Sequence, residues 1–298
     1  MNLYYAPLEG ITGYVYRNAF HKTFKPNIEK YFSPFISPGV NQPLTPKELR
    51  DIHPDNNKGL CLIPQILANN PDDFLLASTY IKDLGCNEVN LNLGCPSGTV
   101  VAKGKGSGLL ADTDKLLRML DKIYEKTDIE VSIKTRIGKD DPEEFPELLE
   151  IFNRFPIKEL IIHPNMEMFE LAYNESKNPV CYNGDVTTVS GYEQIKEKYS
   201  NMTAIMIGRG FLKNPMLAGE INGEQTCMKL IKEFHDELLA RYEEVMSGEK
   251  PVLFKMKEIW CYMMDLYPDS EKIAKKIRKA EKLSAYKEAA DMLFRERC

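Results

Sequence analysis

The sequence predicts an α/β fold: a (β/α)8 TIM barrel followed by an all-α helical bundle. Three observations predict it. Eight short apolar runs recur between residues 3 and 210, amphipathic segments follow several of them, and the alternation stops near Gln225. The boundary is therefore drawn between a barrel domain, 1–224, and a helical domain, 225–298. An open doubly wound sheet competes, but it wants a G-x-G-x-x-G fingerprint after the first strand, and "APLEGITG" is not one.

In order, the runs are "LYYAP", "KYFSPFI", "GLCLIPQIL", "EVNLNLG", "EVSIKTRIG", "ELIIHP", "PVCYNGD" and "AIMIGRG". After the third, Asn70 suits a helix cap, Pro71 the first helical position and Gly85 the end. After the fourth, Asp112 or Thr113 is the candidate cap, and Leu116, Leu117, Leu120 and Ile123 form an apolar face. "PEEFPELLEIFNRF" and "TVSGYEQIKEKYS" supply helices after the fifth and seventh runs. In the tail, Leu230, Phe234, Leu238 and Tyr242 line one helix, and Phe254, Ile259 and Met263 a second. The segment from Asp269 onward supplies one or two more.

At 298 residues, 43% hydrophobic and 28% charged, the chain has ample material for a core. It contains no run of 18 apolar residues, so no membrane span is expected. "MNLYYAPLEG" does not read as a secretory signal. Seven scattered cysteines without a C-x-x-C pair argue against zinc and a disulfide framework, and fit reduced cytoplasmic thiols. The net charge of −5 argues weakly against a surface coated by nucleic acid. The tail nevertheless concentrates Lys272, Lys275, Lys276, Arg278, Lys279, Lys282 and Lys287. Such a stripe is either a solvated helix face or a phosphate-contacting surface.

Catalytic groups of such barrels sit where strands end. Here those ends carry Pro7, Leu8 and Glu9; Gln65; Asn92 and Cys95; Lys134 and Arg136; His163; Asn183, Gly184 and Asp185; then Gly208 and Arg209. Singly, each has an ordinary explanation: a strand lysine pairs with an acid, a lone histidine is structural, and "NGD" is a tight turn. Jointly, they describe a site. Lys134 and Arg136, two residues apart, share a strand face and need anionic partners. Glycine-rich loops after strands seven and eight are where phosphate binds in these barrels. A phosphorylated planar cofactor is expected, and FMN fits: Gln65 and Lys134 toward the ring, Asn183, Gly184, Gly208 and Arg209 toward the phosphate. Cys95 lies in a turn after a strand, a place for reactive rather than core thiols.

"APLEGITGYVYR", "PQIL", "LNLGCPSGTVVAKGKGSGLL", "VSIKTRIG", "NGDV" and "MIGRGFLKNP" together resemble the dihydrouridine synthases, from Tyr5 to about Pro215. The resemblance implies a flavoenzyme that reduces uridine in RNA, most often tRNA. It implies FMN beside Pro7, Leu8, Glu9 and Asp185, NADPH as electron donor, and Cys95 as proton donor to the base. It implies that Asn92 and Arg136 contact the uracil or its ribose-phosphate, and that His163 lies by flavin or substrate. No metal is expected, and a monomer is. The chain departs from the pattern after His163, where Pro164 and Asn165 replace the usual Gly-Arg. The stretch to Asn183 reads as too short for a loop and a full helix, so a truncated or missing sixth helix is expected. Two other functions stay open: a flavin-dependent reductase of a small molecule, and a non-catalytic RNA-binding relative. The basic tail favours RNA over a small molecule, and an intact Cys95 favours catalysis.

Overall fold

The structure is a computed structural model that describes residues 1–40 and 42–297. The strands are β1 (Asn2–Tyr5), β2 (Lys30–Ile36), β3 (Leu62–Ile66), β4 (Glu88–Leu93), β5 (Glu130–Arg136), β6 (Leu160–His163), β7 (Val180–Tyr182) and β8 (Ala204–Ile207). They pair in sequence order, all parallel, and β1 closes on β8 through Tyr5 opposite Ile207. All eight apolar runs are strands, and the barrel is the (β/α)8 fold expected. Because every strand runs the same way, the strand C-termini share one rim.

Between strands lie α1 (Tyr14–Phe24), α2 (Pro46–Ile52), α3 (Pro71–Asp83), α4 (Gly98–Val101), α5 (Thr113–Lys126), α6 (Phe145–Phe152), α7 (Met166–Glu175) and α8 (Val189–Lys198). After β8 come α9 (Arg209–Lys213), α10 (Leu217–Ile221), α11 (Met228–Val245), α12 (Glu249–Met263), α13 (Glu271–Lys279) and α14 (Leu283–Arg297). The expected caps form. The Asn70 Oδ1 accepts from the Asp72 N–H at 2.9 Å, and the Asp112 Oδ1 from the Lys115 N–H at 2.9 Å. Gly85 follows α3 at φ +92, a conformation that favours glycine.

The chain divides into two compact units. The first holds Met1–Glu9, Ile28–Gly184 and Gln194–Ile207, and so the whole barrel. Tyr4, Ala6, Phe32, Ile63, Ile161, Cys181, Ala204 and Met206 form a buried cluster of its inward residues. At the N-terminal ends of the strands the interior is polar. The Lys30 ammonium donates to Glu88 at 2.6 Å, and Tyr4 and Thr203 donate to Glu159 at 3.3 and 2.7 Å. The other oxygens of Glu88 and Glu159 are buried without a hydrogen-bond partner. Burial pushes the Glu159 carboxyl above the usual carboxylate range.

The second unit holds Gly10–Asn27, Asp185–Glu193 and the chain from Gly208 onward. It thus contains the tail expected from 225 together with α1, α9 and α10. Tyr16, Phe20 and Phe24 of α1 meet Phe234 of α11 at ring separations of 5.2–6.3 Å. The last segment forms two helices, α13 and α14. On α12 the buried stripe is Val252, Leu253, Met256, Ile259, Trp260 and Met263; Phe254, expected among them, is 57% exposed. It lies two residues from Val252, more than half a turn round the helix.

Candidate active site

The site grows from the end of β4. Asn92, inward on that strand, turns its Oδ1 to the chain that follows, accepting from the Gly94 and Cys95 N–H groups at 3.0 Å each. The Cys95 carbonyl accepts from the Ser107 N–H and hydroxyl, both at 3.1 Å. The thiol's residue is therefore held on both sides. The glycine-rich segment is the second jaw of this clamp. Gly106 sits at φ +58, and a Cβ there would stand 2.7 Å from the Cys95 carbonyl oxygen. Gly108 closes in the same way on Val101, whose carbonyl oxygen would lie 2.8 Å from a Cβ. Cys95 itself is half-buried at the rim.

Lys134 and Arg136 follow on the neighbouring strand. The register sets Lys134 beside Asn92 and Arg136 beside His163. Among the described residues neither cation has a hydrogen bond or ion pair from its side chain. Burial, opposed by the Cys181 and Cys95 thiols and aided by Arg136, lowers the Lys134 ammonium from 10.5 to about 8. Gln65 on β3 is buried, with its Oε1 accepting from Asn92 at 2.7 Å and its Nε2 donating to Asn90 at 2.8 Å. A desolvated ammonium and a guanidinium side by side, with no carboxylate of their own, need an external acceptor. The carbonyl and ring-nitrogen edge of a flavin, or the carbonyls of a pyrimidine, fits that need.

The remaining first-unit residues take their places along the same rim. Ala6 donates to Ile207 at 2.9 Å, and Pro7, without an N–H, starts the loop that carries Leu8 and Glu9. His163 is exposed at the end of β6. Asn183 is buried and donates its Nδ2 to the Met206 carbonyl at 2.8 Å, joining the ends of β7 and β8. At Gly184 a Cβ would collide with the Tyr182 hydroxyl, so packing alone demands glycine there. In the second unit, Arg209 donates to Asp185 at 2.5 Å, and Gly208 precedes the single turn of α9.

The sixth helix is not missing. α7 runs ten residues, and the shortening falls on the loop, which is Pro164 and Asn165 alone. Asn165 caps the helix by accepting from the Met168 N–H at 2.8 Å, so the chain turns straight from strand into helix. Sequence reasoning passed over Ser107, Gly106 and Asn90. The "GKGSG" run signalled close backbone approach, and the alternation in "NLN" placed Asn90 and Asn92 on one face.

A family model described as Dihydrouridine synthase (Dus) matches residues 4–295. The chain is 27% identical over 265 residues to a Staphylococcus aureus (strain MRSA252) protein named "Probable tRNA-dihydrouridine synthase", covering 80% of this chain and 77% of that one. It is 33% identical over 165 residues to tRNA-dihydrouridine synthase B of Pasteurella multocida (strain Pm70), covering 51% and 49%. Among solved structures, morphinone reductase in complex with tetrahydroNAD aligns with TM-score 0.53 at 13% identity, over 74% of this chain and 86% of that one. A 2-naphthoyl-CoA reductase aligns with TM-score 0.56 at 11% identity, over 75% and 50%. At such identities these two speak for the barrel fold alone. The family match spans almost the whole sequence, including the clamped cysteine turn and the paired cations of β5, and the chain belongs to the dihydrouridine synthase family.

Proposed function

We propose that this oxidoreductase uses FMN, is reloaded by NADPH, and completes the reduction of a tRNA uridine by proton donation from Cys95. Membership of the family makes the chain a flavin-dependent reductase of uridine with a nicotinamide-type reductant. The observation that carries the finer reading is the clamped Cys95 turn beside two cations with no partner among the described residues.

When bound, the flavin supplies a hydride to one carbon of the uracil C5–C6 double bond. Cys95 gives its Sγ proton to the neighbouring carbon. The base then holds two more hydrogens and one double bond fewer, and solvent at the half-exposed turn reprotonates the thiolate. Lys134 and Gln65 are assigned to the flavin ring, with Pro7, Leu8 and Glu9 beside it. Arg136 and the second Nδ2 hydrogen of Asn92 are assigned to the base, and His163 to base or flavin. The phosphate is assigned to Asn183 and Gly184, which follow β7. The target uridine has to leave its stack to be reached.

The exposed cations of α13 support RNA as the substrate: Lys272, Lys275 and Lys279 form no ion pair among the described residues. We assign phosphate-backbone contact to the helical region 225–298, and a monomer working in the cytoplasm. No helix among the described residues is long and apolar enough to cross a membrane. Purified protein should be yellow, release FMN on heating, bleach with NADPH, and form dihydrouridine in an unmodified tRNA transcript. A colourless protein that FMN cannot reconstitute contradicts the cofactor. A bleached protein that reduces an enoate but no tRNA points to the small-molecule reductase.

A further inference from the structure

Behind the cysteine turn lies a chain of side-chain hydrogen bonds that crosses three strands of the barrel. The Gly94 and Cys95 N–H groups are donors, so the carboxamide of Asn92 must present oxygen to them. Its Nδ2 therefore faces outward to the Gln65 Oε1, at 2.7 Å. Gln65 must then offer Nε2 to the Asn90 Oδ1, at 2.8 Å, and Asn90 its Nδ2 to the Ser132 Oγ, at 3.0 Å. The Ser132 hydroxyl completes the series on the Val89 carbonyl at 3.4 Å. Every member is buried: Gln65 1%, Asn90 0%, Asn92 8% and Ser132 0% exposed. No water-facing alternative exists for a carboxamide that turns over. Reversing any one of them sets donor against donor, so the polarity of the series is fixed as a unit.

We infer that Asn90 is a positioning residue for Cys95, acting through Gln65 and Asn92. The inference rests on Cys95 being the proton donor. Asn90 holds the far end of Gln65, and Gln65 holds the Nδ2 side of the Asn92 carboxamide whose oxygen the turn's N–H groups hold, so Asn92 is secured from both sides. With that carboxamide held in place, the Gly94 and Cys95 N–H groups are tied to one acceptor and the turn keeps one conformation, which fixes where the thiol of a general acid stands. The charged groups that face this turn are Lys134 and Arg136 of β5; Arg136 packs its stem 3.5 Å from the position of a Cβ on Gly94.

Asn90→Leu removes both ends of the link, and Asn90→Asp retains it. An aspartate accepts from Gln65 as before, and the Ser132 hydroxyl can turn from Val89 to donate to the second oxygen. In single-turnover reaction of the NADPH-reduced protein with tRNA, Asn90→Leu should slow the saturated rate by about 10–100-fold. The tRNA concentration for half-maximal rate should not change. In the oxidised protein without RNA, iodoacetamide should label the Cys95 peptide severalfold faster, because a turn held less tightly exposes the thiol more often. Asn90→Asp should restore most of both. If Asn90→Leu does not yield a folded protein, Ser132→Ala carries the test, with a smaller shift of both readouts in the same direction.

Wild-type rate and labelling in the folded leucine variant, or in Ser132→Ala where that carries the test, would overturn the inference. So would equal loss in the leucine and aspartate variants. A Cys95→Ala control separates the two levels: if it reacts at the wild-type rate, the proton-donor reading fails; if it is inactive while Asn90→Leu is unaffected, only the positioning role fails.

Discussion

Lys134 sits in an environment that its side chain would not choose. Its ammonium is desolvated in the barrel with no carboxylate partner among the described residues, and this burial lowers it from 10.5 to about 8. The unfolded chain keeps this lysine protonated to about 10.5, so between those values the unfolded state binds more protons and stability of the flavin-free protein rises with pH. Below pH 8 the full penalty stands. Lys134→Met should therefore raise the Tm of flavin-free protein at pH 7, by up to about 3 kcal/mol in stability, while weakening flavin retention. A flavin titration and a melting curve on the same preparation check both; a lower Tm would mean an internal partner exists. At Gly106 the reverse holds, because the backbone is at φ +58 and a Cβ would meet the Cys95 carbonyl. Gly106→Ala should cost about 1–3 kcal/mol and disturb the thiol turn, seen as a lower Tm and altered Cys95 alkylation. Cys95, Lys134 and Arg136 stand out in the sequence because a strand edge is a costly place for them. Ser107 and Asn90 do not, because a serine among glycines and an asparagine in a strand show their use only when their partners are known.

Among the elements, the ones with strong local signals are legible. Asn70–Pro71 and Asp112 start α3 and α5 because each side chain can satisfy an orphan N–H without help from the rest of the fold. The helix after β6 reads as truncated only if a loop of ordinary length precedes it; Asn165 supplies both the turn and the cap in one residue. Phe254 reads as part of the apolar face because it is aromatic. Its ring instead lies on the surface with the Lys250 ammonium 5.9 Å from its centre. On α13 the amphipathic pattern is plain: Ile273, Ala274 and Ile277 are buried and the cations face outward. Charge reversal of Lys275 and Lys279 together should weaken tRNA binding and flatten the log-affinity against log-salt slope by roughly 0.7–0.9 for each phosphate no longer neutralised. Flavin content and NADPH oxidation should be unchanged. Equal slopes for wild type and variant would assign the stripe to ordinary solvation.

For the whole molecule, the barrel follows from eight apolar runs, while the polar floor inside it does not. Glu88, Glu159, Lys30 and Thr203 come from four separate strand starts, and no local pattern joins them. Glu159 favours its protonated form in the folded state, so its contribution is present below the usual carboxylate range and is lost as pH rises through its elevated value. Glu159→Gln, a mimic of the protonated acid, should raise the Tm at neutral pH. Glu88→Gln should lower stability by about 1–3 kcal/mol, because it leaves the half-buried Lys30 ammonium without its paired carboxylate. Equal effects of the two would mean that the floor is not asymmetric. The thiol at the opposite end of the strands carries the central claim. The direct measurement is single-turnover reduction of an unmodified tRNA transcript by protein reduced with NADPH in advance, wild type against Cys95→Ala. The variant should retain its flavin and its reduction by NADPH, and form dihydrouridine about 10²–10⁴-fold more slowly. Formation at the wild-type rate would contradict the assignment of Cys95 as the proton donor.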